Sequence, residues 1–223
     1  MAVSSFISRL FGRRPAARAA VRAKDDDSGY EATQFVEHHE DSRPHVPWSH
    51  RAPDLQARPH DSARGIAALV RIWAQDRALA ALGAQNLEVL AGHMEYVELD
   101  AGKRIIGQDE QGDYLLVVLQ GAVAEERVQP SGAKVRLGES RTGDLLGELS
   151  VLDGGTRFCS CTTLSPVTLA VLPQPALDRL LADEPRLAAA LLAWIAKRLS
   201  LRLRQVSARL SVLLTRLPAP AAR

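Results

Sequence analysis

Cysteine is nearly absent from this chain, and apolar runs long enough to span a membrane are missing. The 223 residues contain two cysteines, Cys159 and Cys161, whose i, i+2 spacing would place both on one face of a strand. A disulfide framework is therefore excluded, and a reducing compartment such as the cytoplasm is expected. The longest apolar run, at 187–196, is about half of the roughly 20 residues that a transmembrane helix needs. The N-terminus also lacks the apolar core of a signal peptide, so we expect neither insertion nor export.

Recognisable catalytic motifs are missing as well. Beyond Ser62 the chain has a single histidine, His93, in a helical stretch without a neighbouring nucleophile motif. Neither a G-x-S-x-G elbow nor a Walker loop occurs. The sequence therefore predicts no enzymatic activity and no bound cofactor.

Charge is unevenly distributed although the formal net charge is only +2. Residues 1–24 contain six basic and no acidic side chains, with apolar residues clustered near Phe6 and Leu10. This composition suits a weak membrane-surface contact, and a solvated tail is the alternative. Residues 25–61 are rich in Asp, Glu, His, Pro and Ser and have few aliphatic side chains to bury. We therefore predict that residues 1–61 are a disordered tail and linker.

The same linker holds five of the six histidines of the chain. No cysteine joins them, and no helical histidine spacing defines a coordination geometry. The sequence predicts no metal site there.

Hydrophobic periodicity divides the remaining chain into three parts. Spacings of three and four predict helices over residues 62–94. Short strand-like pieces separated by Gly, Asp and Pro turn signals follow over 95–184. Helical spacing returns near the end of that part, and a long helix is predicted over 185–217, with Pro185 in its first turn. This pattern indicates a mainly β fold with flanking helices, a sandwich or barrel rather than a βαβ fold.

An apolar seam runs along the last helix, with alternating spacings of four and three that are typical of a coiled coil. Residues 185–217 form a longer helix than a barrel of this size can cover, so we expect a parallel homodimer. A helix that packs only on its own domain is the alternative. The seam residues are Leu192, Ala196, Leu199, Leu203, Val206, Leu210, Leu213 and Leu217, and a flanking position repeats as Arg202, Arg209 and Arg216.

Residues 147–158, GELSVLDGGTRF, combine glycines, acids and an arginine between apolar runs. Gly147 would let a ligand approach the backbone, and the turn that follows would expose N–H groups suited to an anion. Arg157 would add guanidinium donors for phosphate oxygens. Glu148 beside a phosphate is unfavourable unless it accepts a hydroxyl proton, as a ribose 2′-OH would donate. Phosphate plus hydroxyl predicts a cyclic nucleotide, and a structural Glu148–Arg157 ion pair is the alternative.

Three stretches together resemble the cyclic nucleotide-binding domain family. They are AGKRIIGQDEQGDYLLVVLQGAVA (101–124), GDLLGELSVLDGG (143–155) and the pair TR at 156–157, and the resemblance extends over about 77–205. It implies an eight-stranded jelly-roll β-barrel, a phosphate-binding cassette at 147–158, Glu148 on the ribose hydroxyl and Arg157 on the cyclic phosphate. It also implies a long C-terminal helix that closes on the base and dimerises.

Two positions depart from the family pattern. Phe158 stands where a small or hydroxyl residue usually lines the phosphate pocket, so it would either crowd or cover the ligand. Arg202 stands on the last helix where small hydroxyl side chains reach the purine in close relatives. It would either stack on the base or remain an exposed flank of the coiled coil. The candidate ligand-binding residues are Gly147, Glu148, Leu149, Ser150, Arg157, Phe158 and Arg202.

The two cysteines lie within this barrel region. We expect both to be small core residues, because a redox role would require exposure and a lowered thiol pKa.

Two functional hypotheses follow. The first is a cytoplasmic, dimeric sensor that binds a cyclic nucleotide, cAMP first among them, and signals through an effector protein that the sequence does not identify. The second is a dimeric scaffold whose barrel has lost its ligand and whose residues 1–24 contact a membrane surface. A helix-turn-helix module needs many more residues than follow Leu217, so we expect no sequence-specific DNA recognition.

Overall fold

The computed structural model describes residues 44–215. Over this range two antiparallel sheets are flanked by helices, and a long helix follows the last strand. The fold class predicted from the sequence, a mainly β jelly-roll barrel with flanking helices, is confirmed.

The element bounds are as follows. The helices are α1 (Trp48–Leu55), α2 (Ser62–Trp73), α3 (Arg77–Ala80), α4 (Ala84–Gly92), α5 (Glu148–Asp153), α6 (Gln174–Asp183) and α7 (Pro185–Thr215). The strands are β1 (Arg58–Pro59), β2 (Glu95–Leu99), β3 (Arg104–Ile106), β4 (Tyr114–Gln120), β5 (Val123–Val128), β6 (Lys134–Ser140), β7 (Leu145–Leu146), β8 (Ser160–Thr163) and β9 (Val167–Pro173). One sheet has the order β1-β2-β9-β4-β7 and the other the order β3-β8-β5-β6.

Strand β4 shows why the core has two parts. It pairs with β9 on one side and β7 on the other, and its run YLLVVL is buried on both faces. Leu115 and Val117 point to a cluster shared with the helices, whereas Leu116 and Val118 point into the barrel between the sheets. Successive strand residues face opposite sides, so one apolar strand joins both clusters.

Residues 44–61 differ from the linker prediction. Helix α1 packs Trp48 and Leu55 into the barrel cluster, and Trp48 Nε1 donates to the Glu95 carboxylate at 3.0 Å. Strand β1 then adds to the sheet through Arg58, which pairs in register with Glu98. The polar composition of this stretch led to the linker prediction, although two apolar residues, Trp48 and Leu55, lie seven positions apart on one helix face. The predicted membrane-contact segment, residues 1–24, lies outside the described residues.

Helix α7 has two halves with different surroundings. Its first half buries Leu187, Leu191 and Trp194 against the helical cluster. From Leu201 onward the seam residues are at least half exposed, and Leu217 lies outside the described residues. Within residues 44–215, no helix is both long and apolar enough to cross a bilayer.

Candidate functional site

A small, partly open cleft lies where α5, β5, β8 and α7 meet. All seven candidate residues predicted from the sequence line it. The structure therefore brings the GELSVLDGGTRF segment and one residue of the last helix into a single site. The other lining residues are Ile106, Glu125, Leu146, Cys159 and Cys161.

Gly147 is the turn that starts the site. Its φ of +75° is a left-handed conformation, and α5 begins at the next residue. A Cβ at this position would also collide with Arg157 Nη1. Only glycine satisfies both the conformation and the close approach.

Arg157 is buried at 2% exposure and is held mainly by neutral acceptors. Its Nη1 donates to the Gly147 carbonyl and the Ser150 hydroxyl, both at 2.6 Å, and its Nη2 donates to the Tyr114 carbonyl at 2.7 Å. The guanidinium lies 4.4 Å from the centre of the Tyr114 ring. Burial lowers the pKa of Arg157, although an arginine in a protein remains protonated. Among residues 44–215, no carboxylate lies within ion-pair distance of this cation.

Glu148 is also buried, at 3% exposure, but its partner is not Arg157. Arg202 Nη1 of α7 donates to Glu148 Oε1 at 3.2 Å. The alternative of a structural Glu148–Arg157 ion pair is therefore wrong, because each side chain has other partners. Burial raises the pKa of Glu148 above that of an ordinary glutamate, and Arg202 and Arg157 only partly oppose this.

Arg202 is neither a free flank of a coiled coil nor placed for stacking in this arrangement. Besides Glu148, its guanidinium lies 3.8 Å from a carboxylate oxygen of Glu125 and donates to the Leu145 carbonyl at 3.3 Å. Glu125 in turn accepts a hydrogen bond from the Ser140 hydroxyl at 2.6 Å. The sequence analysis missed Glu125, although strand alternation from the buried Val123 would have placed it on the inner face of β5.

Phe158 lies at the mouth of the cleft and is 54% exposed. The Arg127 guanidinium stacks over its ring at 4.6 Å and donates to its carbonyl. The ring therefore edges the cleft rather than filling it. Tyr114, which supports Arg157 from below, was also missed, because nothing in its local spacing distinguishes it from an ordinary strand residue.

The two cysteines lie on one side of the cleft. Cys161 is buried in the barrel cluster as expected, whereas Cys159 is only partly buried. A hydrogen bond with Cys161 lowers the pKa of the Cys159 thiol, and burial opposes this. Nowhere in residues 44–215 do three or more His, Cys, Asp or Glu side chains gather in a way that would hold a metal ion. His38 and His39 of the predicted linker lie outside this range.

Comparison with known proteins agrees with the geometry. The family model described as the cyclic nucleotide-binding domain matches residues 96–184. These residues belong to the cyclic nucleotide-binding domain family. The resemblance seen in the sequence motifs is thereby confirmed, and β2 to β9 supply the eight strands that it implied.

Similar proteins include regulators that are longer than the matched region. The CRP-like cAMP-activated global transcriptional regulator of Mycobacterium tuberculosis is 31% identical over 113 residues, which cover 51% of this chain and 50% of that protein. The chain thus spans about half the length of this curated relative.

Solved structures show the same fold. A cyclic nucleotide-binding domain from Methylobacillus flagellatus superposes with a TM-score of 0.66 at 24% identity, covering 76% of this chain and 93% of that one, a likeness of fold. The Thermus thermophilus catabolite activator protein superposes with a TM-score of 0.53 at 26% identity, covering 62% of this chain and 63% of that one.

Proposed function

We propose that this chain is a non-enzymatic regulatory protein that binds a cyclic mononucleotide, cAMP first among them, in the cleft between α5 and α7. One observation supports this most directly. Arg157 is a buried cation without a carboxylate partner in the described residues, and it shares its cleft with the buried acceptor Glu148. A buried charge is unfavourable unless it is compensated, and a bound anion would compensate it.

The phosphate end of the ligand would lie at Arg157 and Ser150. A cyclic phosphodiester has one negative charge, and its oxygens are stronger acceptors for a guanidinium than the carbonyl and hydroxyl that Arg157 now contacts. Gly147 leaves room for this exchange beside the guanidinium because it has no side chain.

The sugar end would lie at Glu148. An ionised carboxylate has about four lone-pair sites, so Glu148 can accept a ribose 2′-OH while it keeps or loses its bond with Arg202. Since Arg202 belongs to α7, ligand binding at Glu148 would change a contact of the last helix. A ligand shifts the arrangement of that helix only if it binds the two arrangements with different affinity.

The choice of cAMP is supported by the relative whose name describes it as cAMP-activated, over the shared half of its length. Base recognition is not assigned to Arg202, because its guanidinium is engaged at the sugar end.

Helix α7 would form a parallel homodimer. This dimer would transmit ligand binding to an effector protein. Four seam residues, Leu203, Val206, Leu210 and Leu213, are between 53% and 66% exposed in the single chain. Their spacing of three and four forms one apolar stripe, which a second copy of the same helix would cover. A cytoplasmic location and the absence of sequence-specific DNA binding remain predictions.

A scaffold without ligand is the second candidate. Two contacts favour it: Arg202 already occupies Glu148, and Phe158 with Arg127 borders the mouth. In that case the cleft would hold no nucleotide and only the dimeric helix would act.

Calorimetric titration of the full chain with cAMP, cGMP and cyclic di-GMP separates the two candidates. We expect heat with a cyclic mononucleotide, its loss in Arg157→Ala and its retention in Arg204→Ala, which removes the same charge from an exposed position on α7. No heat with any of the three nucleotides would support the scaffold. Binding that survives Arg157→Ala would place the ligand elsewhere.

A further inference from the structure

Helix α1 lies outside the residues that match the family model, yet it reaches the candidate phosphate site through a series of side-chain contacts. Trp48, 3% exposed, lies against Tyr114 with ring centroids 5.2 Å apart and an interplanar angle of 59°. Tyr114 in turn lies 4.4 Å below the guanidinium of Arg157. Trp48, Tyr114 and Arg157 therefore form one continuous series of contacts from α1 to the cleft.

Tyr114 is held in this series of contacts by its hydroxyl and its carbonyl. Its hydroxyl donates to the Ile105 carbonyl at 2.7 Å, and its carbonyl accepts from Arg157 Nη2 at 2.7 Å. Burial raises the pKa of Tyr114, so the hydroxyl stays protonated and remains a donor. The ring cannot leave the guanidinium without breaking its hydroxyl bond with Ile105 or losing its contact with Trp48.

A second link runs from α1 to the backbone of Arg157. Arg51 forms an ion pair with Glu110, whose carboxylate also accepts the Gly107 N–H at 3.0 Å. The Glu110 carbonyl accepts the Arg157 N–H at 2.7 Å, and the Asp109 N–H donates to the Arg157 carbonyl at 2.8 Å. The loop that α1 holds is thus the loop that holds Arg157.

We propose that α1 is a positioning element for the ligand-binding arginine, with Trp48 acting through Tyr114 and Arg51 acting through Glu110. This inference rests on the proposed function, since positioning of Arg157 matters for affinity only if Arg157 binds the ligand. A guanidinium at the end of a flexible side chain loses less conformational freedom on binding when its site already holds it. The segment before the domain would then set the affinity of the site.

A pair of matched tryptophan variants tests the proposal. Trp48→Leu removes the ring next to Tyr114 but keeps apolar volume, and Trp48→Phe restores a ring. Trp73→Leu is the control, because Trp73 is equally buried but pairs with Trp194 in the helical cluster. By calorimetry of the full folded chains with cAMP, we expect Trp48→Leu to weaken binding about three- to tenfold, in the range of aromatic and cation–π contacts. Trp48→Phe and Trp73→Leu should stay within about threefold, less than one such contact.

A double-mutant cycle separates positioning from general loss of stability. In an Arg157→Lys background the planar fork that stacks on Tyr114 is absent, so Trp48→Leu should have little further effect on affinity. An equal loss in both backgrounds, or an equal loss in Trp73→Leu, would overturn the positioning role.

Hydrogen exchange without ligand tests this inference separately from the proposed function. If the wild-type chain binds none of the nucleotides, the proposed function fails, and exchange of the Arg157 amide is still measurable without ligand. Arg51→Ala removes the partner of Glu110, whose carbonyl accepts the Arg157 N–H, and should speed that exchange relative to Trp73→Leu. The same rate in both variants would remove the link between α1 and the site.

Discussion

Arg202 and Glu148 join the last helix to the floor of the cleft, with Arg202 Nη1 3.2 Å from Glu148 Oε1. The two residues are 54 positions apart in the chain. Arg202 is partly exposed on α7, whereas Glu148 is buried on α5. A ligand hydroxyl that binds Glu148 would therefore also affect the hydrogen bond between Glu148 and Arg202 of α7.

Arg202→Ala should uncouple the ligand from the helix. Glu148 would remain available to the ribose hydroxyl, so we expect cAMP affinity to change by less than about tenfold, roughly the worth of a half-exposed ion pair. Hydrogen exchange along residues 199–215 should respond to ligand in the wild-type chain and should no longer do so in Arg202→Ala. Arg204→Ala, which changes the same charge at a neighbouring exposed position, should leave that response intact. A response in Arg202→Ala as large as in wild type would contradict this role.

Glu148→Gln should weaken cAMP binding yet stabilise the ligand-free protein at neutral pH. Burial holds the folded-state pKa of Glu148 above its unfolded value. The folded state thus binds the proton more tightly, and the stability from this proton is lost as pH rises through the folded pKa. The amide carries no charge and avoids this loss. We therefore expect unfolding experiments in urea to favour the variant at pH 7, with the difference shrinking toward pH 4.

The same substitution weakens the acceptor for the ribose hydroxyl. A hydrogen bond to a charged group contributes about 1.5–3 kcal/mol, so cAMP affinity should fall roughly 10- to 150-fold. For the wild-type chain, affinity should also decline on acidification, beginning above the pH range of an ordinary glutamate. A variant that is less stable than wild type at pH 7, or an affinity without this pH dependence, would argue against a buried ionised Glu148.

Two valines on α7 offer a matched test of the dimer. Val206 lies on the apolar seam and is 54% exposed, whereas Val212 lies off the seam and is 51% exposed. Val206→Asp places a charge in the predicted helix–helix contact and should give a monomer by light scattering after gel filtration. Val212→Asp should remain dimeric. A wild-type chain that is already monomeric, or equal behaviour of both variants, would contradict the parallel dimer.

The parts of the site that could be predicted from the sequence are those that lie close together in the chain. Glu148 and Arg157 are separated by one short helix and one turn, and the chemistry of that segment alone predicts a phosphate and a hydroxyl. The contact between Arg202 and Glu148 was not predicted, because it depends on where α7 crosses the barrel. Helix periodicity shows which residues share a face, but not which carboxylate that face meets.

Helix α1 was missed for a related reason. Its two buried apolar residues, Trp48 and Leu55, occur in a polar stretch that contains Pro53, so average composition predicts disorder. Tertiary contact with the barrel decides the outcome, because most of the stability of a short helix comes from packing. Tyr114, which acts through such contacts, has no local signature.

Cys159 should react with thiol reagents before Cys161. Cys159 is partly exposed in the cleft and Cys161 is 2% exposed, and the thiolate is the reactive form. A hydrogen bond with Cys161 lowers the pKa of Cys159, while that of Cys161 is raised by its bond with Cys159 and by burial. Arg202 favours the Cys159 thiolate, and Glu125 and Glu148 oppose it. Mass spectrometry after limited iodoacetamide treatment should therefore find the label on Cys159.

Labelling in the presence of cAMP tests whether the nucleotide binds in the cleft beside Cys159. Both thiols line the space that the nucleotide would occupy, so cAMP should slow the labelling of Cys159. Cys161→Ser keeps a hydroxyl donor beside Cys159 and should retain its reactivity, whereas Cys161→Ala removes the donor and should reduce it. In Cys159→Ser, labelling should be slow throughout, because only the buried thiol remains. Equal labelling of the two cysteines in the native wild-type chain would contradict the predicted difference in reactivity. Fast labelling of Cys159 that cAMP leaves unchanged would place the nucleotide away from these thiols.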